Sequence, residues 1–163
     1  YEFVGRPKTG AATLELNGET VADLNVEKGY ARLHRAWKSG DVIELKLAMP
    51  VRRVKANSRV KADQGRVALQ RGPIVYCLEG VDNGGHPRQF ALAPNAPLQT
   101  EARPDLLQGV TLVKGTALFA TPEDKEARET AFTAVPYYAW DNRGPGEMIV
   151  WVPENPDLLR TPH

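Results

Sequence analysis

Cysteine occurs once in this 163-residue chain, at Cys77, which excludes an internal disulfide framework and any site built from two cysteines of the chain itself. Serine is almost as scarce. Ser39 and Ser58 are the two, and neither stands in the Gly-x-Ser-x-Gly elbow of a serine nucleophile. The histidines are His34, His86 and His163, and no spacing among them or to Cys77 matches a zinc pattern. No apolar run approaches the roughly 18 residues of a membrane-spanning helix. No basic-apolar-small leader pattern opens the chain. A charge excess is missing too: 21 Lys and Arg against 20 Asp and Glu leave a net of +1, which argues against a nucleic-acid partner. Gly144-Pro145-Gly146 is glycine-rich but lacks the Lys-Ser/Thr of a phosphate loop, and it opens a strand pattern instead of a helix.

What is present is ordinary globular composition, 42% hydrophobic and 25% charged, patterned almost throughout with a period of two. Ala12 to Asn17 alternates and ends in Asn17-Gly18, a hairpin-turn pair. Tyr30 to Trp37 reads as a strand. Ile43, Leu45, Leu47 and Met49 share one face of the next, with Glu44 and Lys46 on the other, the signature of a half-buried antiparallel strand. Arg66–Leu69 and Ile74–Glu79 read as strands around Gly72-Pro73, where a bulge or edge is expected. Gln89–Leu92 is a short strand, 94–108 a surface connection with three prolines, and Val110–Val113 with Ala117–Ala120 a hairpin turning at Lys114-Gly115-Thr116. Thr121-Pro122-Glu123-Asp124 resembles a helix start worth one or two turns. Ala131–Val135 and Glu147–Val152 are the last strands.

Short strands with Gly/Pro punctuation indicate an all-β chain: an antiparallel β-sandwich at the C-terminal end, preceded by a partial β-sandwich unit. The expected domains are 1–52, an incomplete sandwich, 53–155, the C-terminal sandwich, and 156–163, a loose tail. Three strands cannot cover the apolar face of the first unit. Tyr1 is not a methionine, and Tyr1-Glu2-Phe3-Val4 reads as the middle of a chain. The sequence is therefore expected to be a piece of a longer protein. Alone, its first unit would expose an edge and an apolar face, predicting self-association or instability.

Few residues point to chemistry. Cys77 lies in Ile74-Val75-Tyr76-Cys77-Leu78 and reads as core. The 20 carboxylates include no pair in a signature context. Five basic residues without an acid between Arg52 and Lys61 read as a solvated connection. The strongest cluster is Tyr137, Tyr138 and Trp140, followed by Asn142 and Arg143. Rings beside planar polar groups suit sugar contact, because C–H faces stack on rings while hydroxyls need fixed partners. They equally suit packing on alternate strand positions or docking on another domain, and this second reading ranks first. No catalytic or metal-ligating residue is assigned.

Two long segments carry a family resemblance. The segment from Gly65-Arg66-Val67-Ala68-Leu69-Gln70-Arg71-Gly72-Pro73 to Glu79, and Pro136-Tyr137-Tyr138-Ala139-Trp140-Asp141-Asn142-Arg143-Gly144-Pro145-Gly146-Glu147-Met148, resemble the β-L-arabinofuranosidases of glycoside hydrolase family 127. Leu16-Asn17-Gly18-Glu19, Trp37-Lys38-Ser39-Gly40-Asp41 and Met49-Pro50-Val51-Arg52-Arg53-Val54 extend the resemblance in the same order. It implies a large bacterial-type enzyme whose (α/α)-barrel, holding a catalytic glutamate and a cysteine-rich zinc site, precedes β-sandwich domains. None of the barrel's motifs occurs here, so no cofactor belongs to this chain and zinc is implied only for the barrel of the parent. The expected role is a non-catalytic accessory region packing on that barrel. A carbohydrate-binding module and a stand-alone interaction domain are the alternatives, with an oligosaccharide as the other candidate partner. Gly65, Gly72 and Gly144 are expected at turns or bulges, fixed by Pro73 and Pro145.

Overall fold

The computed structural model of the chain describes residues 1–5, 12–22 and 24–159. His163, one of the histidines weighed as a ligand, lies outside them. The chain divides into two units, Lys8–Met49 and the combination of Tyr1–Pro7 with Pro50–His163. Among the described residues the regular structure is antiparallel strand with short 3₁₀ turns.

Strand β1 (Glu2–Phe3) belongs to the larger unit. The Lys8–Met49 unit holds β2 (Thr13–Leu16), β3 (Glu19–Thr20), β4 (Val26–Glu27), β5 (Tyr30–Ala31) and β6 (Ile43–Lys46). Asn17 and Gly18 both have positive φ, 54° and 85°, the signature of the two-residue turn that joins β2 to β3. The Asn17 amide also ties that turn to the next one: it donates to Asp41 Oδ1 at 2.9 Å and accepts from Val42 N–H at 2.8 Å. β6 pairs with β2 in the register Leu14↔Leu45 and Leu16↔Ile43. Glu15, Glu44 and Lys46 share the other face, with Lys46 on Glu15. Leu14 is buried, but Leu45 opposite is 54% exposed, and Ile43 and Leu47 are exposed as well. The strand expected over Tyr30–Trp37 survives only as Tyr30–Ala31, paired with β4 across Lys28-Gly29. Beyond Ala31, Arg32 N–H still donates to the Asn25 carbonyl (3.0 Å), and among the described residues no strand pairs with 32–37.

The larger unit continues with β7 (Val51–Lys55), β8 (Arg66–Arg71), β9 (Ile74–Glu79), β10 (Phe90–Ala91), β11 (Leu98–Arg103), β12 (Val110–Phe119), β13 (Arg128–Pro136), β14 (Met148–Ile149) and β15 (Val152–Pro153). Its strands run in the order β1-β7-β8-β9-β13-β12-β10, with β11 on β12, β14 on β9 and β15 on β8. This is an antiparallel β-sandwich, and the chain is all-β. Gly72 (φ 56°) and Pro73 form a tight turn in which Arg71 faces Ile74, so the punctuation marks a hairpin and not a bulge.

Four further expectations give way. The basic stretch begins as a paired strand, β7, and Arg53 is buried in it. Its guanidinium is satisfied by the carbonyls of Leu92 (3.3 Å) and Ala96 (2.9 Å), so the charged head replaces water with fixed acceptors. Residues 98–103 of the expected surface connection form β11, because their backbone can pair with β12 from Gly115 back to Val110. The expected turn at Gly115 is the middle of the ten-residue β12: a Cβ there would stand 2.6 Å from the Pro97 carbonyl, so glycine marks close backbone approach. Thr121 and Asp124 close a single turn, with Asp124 N–H on the Thr121 carbonyl, and no helix follows because β13 begins at Arg128. Pro156–Leu159 forms a 3₁₀ turn, and the remainder of the expected tail, 160–163, lies outside the described residues.

Two apolar clusters fill the unit. Val67, Leu69, Tyr76, Leu78, Phe90, Phe119 and Phe132 belong to the first; Cys77, Val110, Leu112, Val135 and Ala139 form the second. Alternate residues of β9, β12 and β13 enter opposite clusters. Both faces are covered where these clusters lie, at Tyr76, Cys77 and Leu78 in β9, while Val75 stays exposed. The second cluster is roofed by Leu106, Leu107, Trp140, Met148 and Val150. That roof brings the segment after β13 to the end of the sandwich.

Candidate functional site

Pro136 ends β13, and the chain closes into a 3₁₀ turn over Tyr137–Ala139. Side chains three apart eclipse in such a turn. Tyr137 and Trp140 accordingly stack, centroids 6.3 Å apart and 14° from parallel. The alternate-position pairing expected of a strand does not occur. Trp140 is half-buried on the cluster around Cys77, while Tyr137 (47%) and Tyr138 (66%) are exposed. Asn142 is exposed, and its Nδ2 donates back to the carbonyls of Ala139 (3.1 Å) and Trp140 (3.2 Å), closing the turn.

Arg143 is the centre of the site. It donates to Asp82 (Nη1 to Oδ1, 2.8 Å) and to Glu79, whose side chain is buried. The other Glu79 oxygen accepts from Asp141 N–H at 2.9 Å, at a backbone with φ 64°. These bonds, with Asp82 first, raise the guanidinium pKa further above its usual value. Next to them, buried Asn83 donates to the carbonyls of Glu79 (2.7 Å) and Thr133 (2.8 Å) and accepts from Thr133 N–H (3.0 Å). An asparagine side chain thus completes the backbone pairing of β13. Two carboxylates sharing one guanidinium are stabilising partners of that cation. They do not face each other across a cleft as a glycosidase acid and nucleophile would.

Glu79 and Asp82 carry no signal in the sequence that links them to Arg143, more than 60 positions away, and neither does Asn83 beside them. The one available hint is an acid at the end of the apolar run 74–78.

The network pins two loops that enclose a cleft of about 420 Å³. Glu79, Trp140, Arg143 and Glu147 line it, together with the glycine pairs Gly84-Gly85 and Gly144/Gly146. Tyr138 lines a different hollow, with Arg71 and Arg103. The five residues singled out in the sequence therefore part company: Trp140 and Arg143 at the cleft, Tyr137 and Tyr138 outward, Asn142 in the turn.

No group of three His, Cys, Asp or Glu side chains that could hold a metal ion occurs among the described residues. Cys77 is fully buried, and burial, with the Glu79 charge second, pushes its thiol up to about 12. The described residues offer no donor set for the zinc that the resemblance implies for the parent's barrel. No helix among the described residues is long and apolar enough to cross a membrane.

The profile of the glycoside hydrolase family 127 C-terminal domain matches residues 51–153, and that of the β-L-arabinofuranosidase GH127 middle domain matches residues 7–49. The chain belongs to glycoside hydrolase family 127. Within the family, it is 38% identical over 159 residues to a non-reducing end β-L-arabinofuranosidase of Bifidobacterium longum subsp. longum, covering 87% of this chain and 24% of that protein. The crystal structure of a GH127 β-L-arabinofuranosidase from Geobacillus stearothermophilus T6 superposes with a TM-score of 0.75 at 44% identity, over 90% of this chain and 25% of that one. A second solved GH127 β-arabinofuranosidase gives 0.83 at 38% identity, over 94% and 24%. The chain thus spans about a quarter of the length of these family members.

Proposed function

We propose that this chain is the non-catalytic β-sandwich region of a longer β-L-arabinofuranosidase-like glycoside hydrolase, packing on its catalytic domain and holding that domain in shape. The division into 1–52 and 53–155 is kept as a proposal for the limits of its two domains. The observation that carries the reading is an apolar surface on the larger unit. Exposed Tyr1, Phe3 and Val75 surround a hollow of about 330 Å³ walled by Val54, Leu69 and Trp151. Tyr1 stacks on Trp151 at 5.9 Å, and Arg52 lies over the Phe3 ring at 4.7 Å. Apolar patches of this kind mark docking surfaces. The occupant proposed is the catalytic domain, because the family members are about four times as long as this chain. A supporting shell is a functional contribution, since catalytic geometry depends on what holds it.

The test is Val75→Asp, made both in the isolated chain and in the full-length protein. The isolated chain is expected to keep its melting temperature, because Val75 is exposed there. The full-length protein is expected to melt several degrees lower and to lose turnover of an aryl β-L-arabinofuranoside. Equal melting temperature and turnover in the full-length pair would overturn the proposal.

A further inference from the structure

The cleft held by Arg143 has a chemistry of its own. Its volume of about 420 Å³ falls within the roughly 300–1,000 Å³ of small-molecule sites. Its walls are preformed. Gly80 N–H donates to the Glu147 carbonyl and Gly85 N–H to the Gly80 carbonyl, both at 2.8 Å, while Glu79 holds Asp141 and Arg143. A ligand entering it would not have to order the loops, which is the cost that most weakens small-ligand binding.

The charges decide the class of ligand. Among the described residues the lining cation is Arg143, already matched by Glu79 and Asp82, so a phosphate or an acidic sugar finds no spare positive charge there. A cation finds Glu147, which is solvated and loosely paired with Arg88 at 3.9 Å. A neutral polyol fits better, because its hydroxyls donate and accept at once. Around the cleft, the Cβ positions of Gly84, Gly85, Gly144 and Gly146 have nothing within 4 Å, so a ligand can approach their backbone closely. Trp140 adds an apolar surface beside those polar groups.

We propose that this cleft is a saccharide-binding site, taking one neutral pentose unit against Trp140, Glu79, Arg143 and the glycine backbone. The choice of arabinose as the pentose rests on the proposed function; the cleft itself does not. The site lies on the C-terminal unit of this chain, and it would hold an arabinosyl substituent of the polymer that the longer enzyme trims.

The experiment is an NMR titration of the chain with methyl β-L-arabinofuranoside, followed at the backbone amides. Saturable shifts are expected at Gly84, Gly85, Gly144, Gly146 and the Trp140 indole, with a Kd of about millimolar, as suits one sugar unit. Galacturonate, an anion of similar size, is expected to give none. Gly146→Leu fills the cleft from a position with ordinary backbone and open space, and is expected to abolish the shifts at unchanged melting temperature. Trp140→Ala should weaken binding at least tenfold. No saturable shift, an equal response to galacturonate, or binding that survives Gly146→Leu each overturns the proposal. Failure here leaves the docking reading untouched, because the Val75→Asp test reads the melting temperature of the full-length protein and not sugar binding.

Discussion

Replacing Arg143 by methionine removes a cation while keeping most of the side-chain volume. Glu79 is 4% exposed, so its carboxylate would be left buried with one bond, from Asp141 N–H. Breaking a buried pair from one side costs about 3–5 kcal/mol. Asp82, whose side chain is 20% exposed, can turn to water, which places the expected cost near the lower end, about 3 kcal/mol. For a unit of this size that corresponds to a fall in melting temperature of about 12 °C. The assay is urea unfolding read by the fluorescence of Trp140 and Trp151, with the slope m checked for constancy. Glu79→Gln and the double variant complete a cycle. Pairing the two neutral side chains should recover about 2 kcal/mol of the summed single costs. A cost below about 1 kcal/mol for Arg143→Met, the range of exposed ion pairs, would refute the argument that the Glu79 carboxylate is held out of water.

Three other outcomes follow from particular residues. Gly115→Ala should destabilise the larger unit by about 1–3 kcal/mol in the same assay, since its Cβ would meet the Pro97 carbonyl and the Phe132 ring; a neutral result would mean that β11 can shift outward. Cys77 should stay unlabelled by a thiol reagent at pH 8 in the native chain and react only in denaturant, because its thiol is buried and pushed up to about 12; rapid native labelling would contradict this. Asp41 titrates below the usual carboxylate value, chiefly through the Asn17 amide and then Lys38 N–H. A depressed folded value stabilises above the unfolded pKa and is lost as pH falls through the folded one. Asn17→Ala should therefore raise the Asp41 midpoint in an NMR titration, and an unchanged midpoint would remove Asn17 as its cause.

How much the sequence disclosed depended on whether the governing contact was local. Asn17-Gly18 sets its turn through its own backbone preferences, and that hairpin forms where it stands. The run Ile74–Leu78 announced a strand with Cys77 in the core, and both are found. Gly115 misled because its role is set by Pro97 and Phe132, so a residue that locally suggests a turn sits in mid-strand. Arg53 misled because the acceptors that make its burial affordable are the carbonyls of Leu92 and Ala96. At the site, the rings at 137 and 140 and Arg143 were visible as residue types. Their sorting was not, since it turns on a three-residue helical period and on Glu79 at the end of β9 with Asp82 in the turn after it.

The placement of β1 has a consequence for the order of folding. Glu2 pairs with Lys55 and Phe3 with Val54, so the chain leaves the larger unit after one short strand, builds the Lys8–Met49 unit, and returns to the neighbouring strand. Closing a flexible loop of about 50 residues costs roughly 3.5 kcal/mol from its length alone. Two ladder positions at about 1 kcal/mol per bond do not offset that. The β1–β7 pair is therefore expected to form last, once the intervening unit has folded and shortened the effective loop. It should also open first, so that amide exchange at Val4, whose N–H is held by the Arg53 carbonyl at 2.9 Å, reports the integrity of the intervening unit.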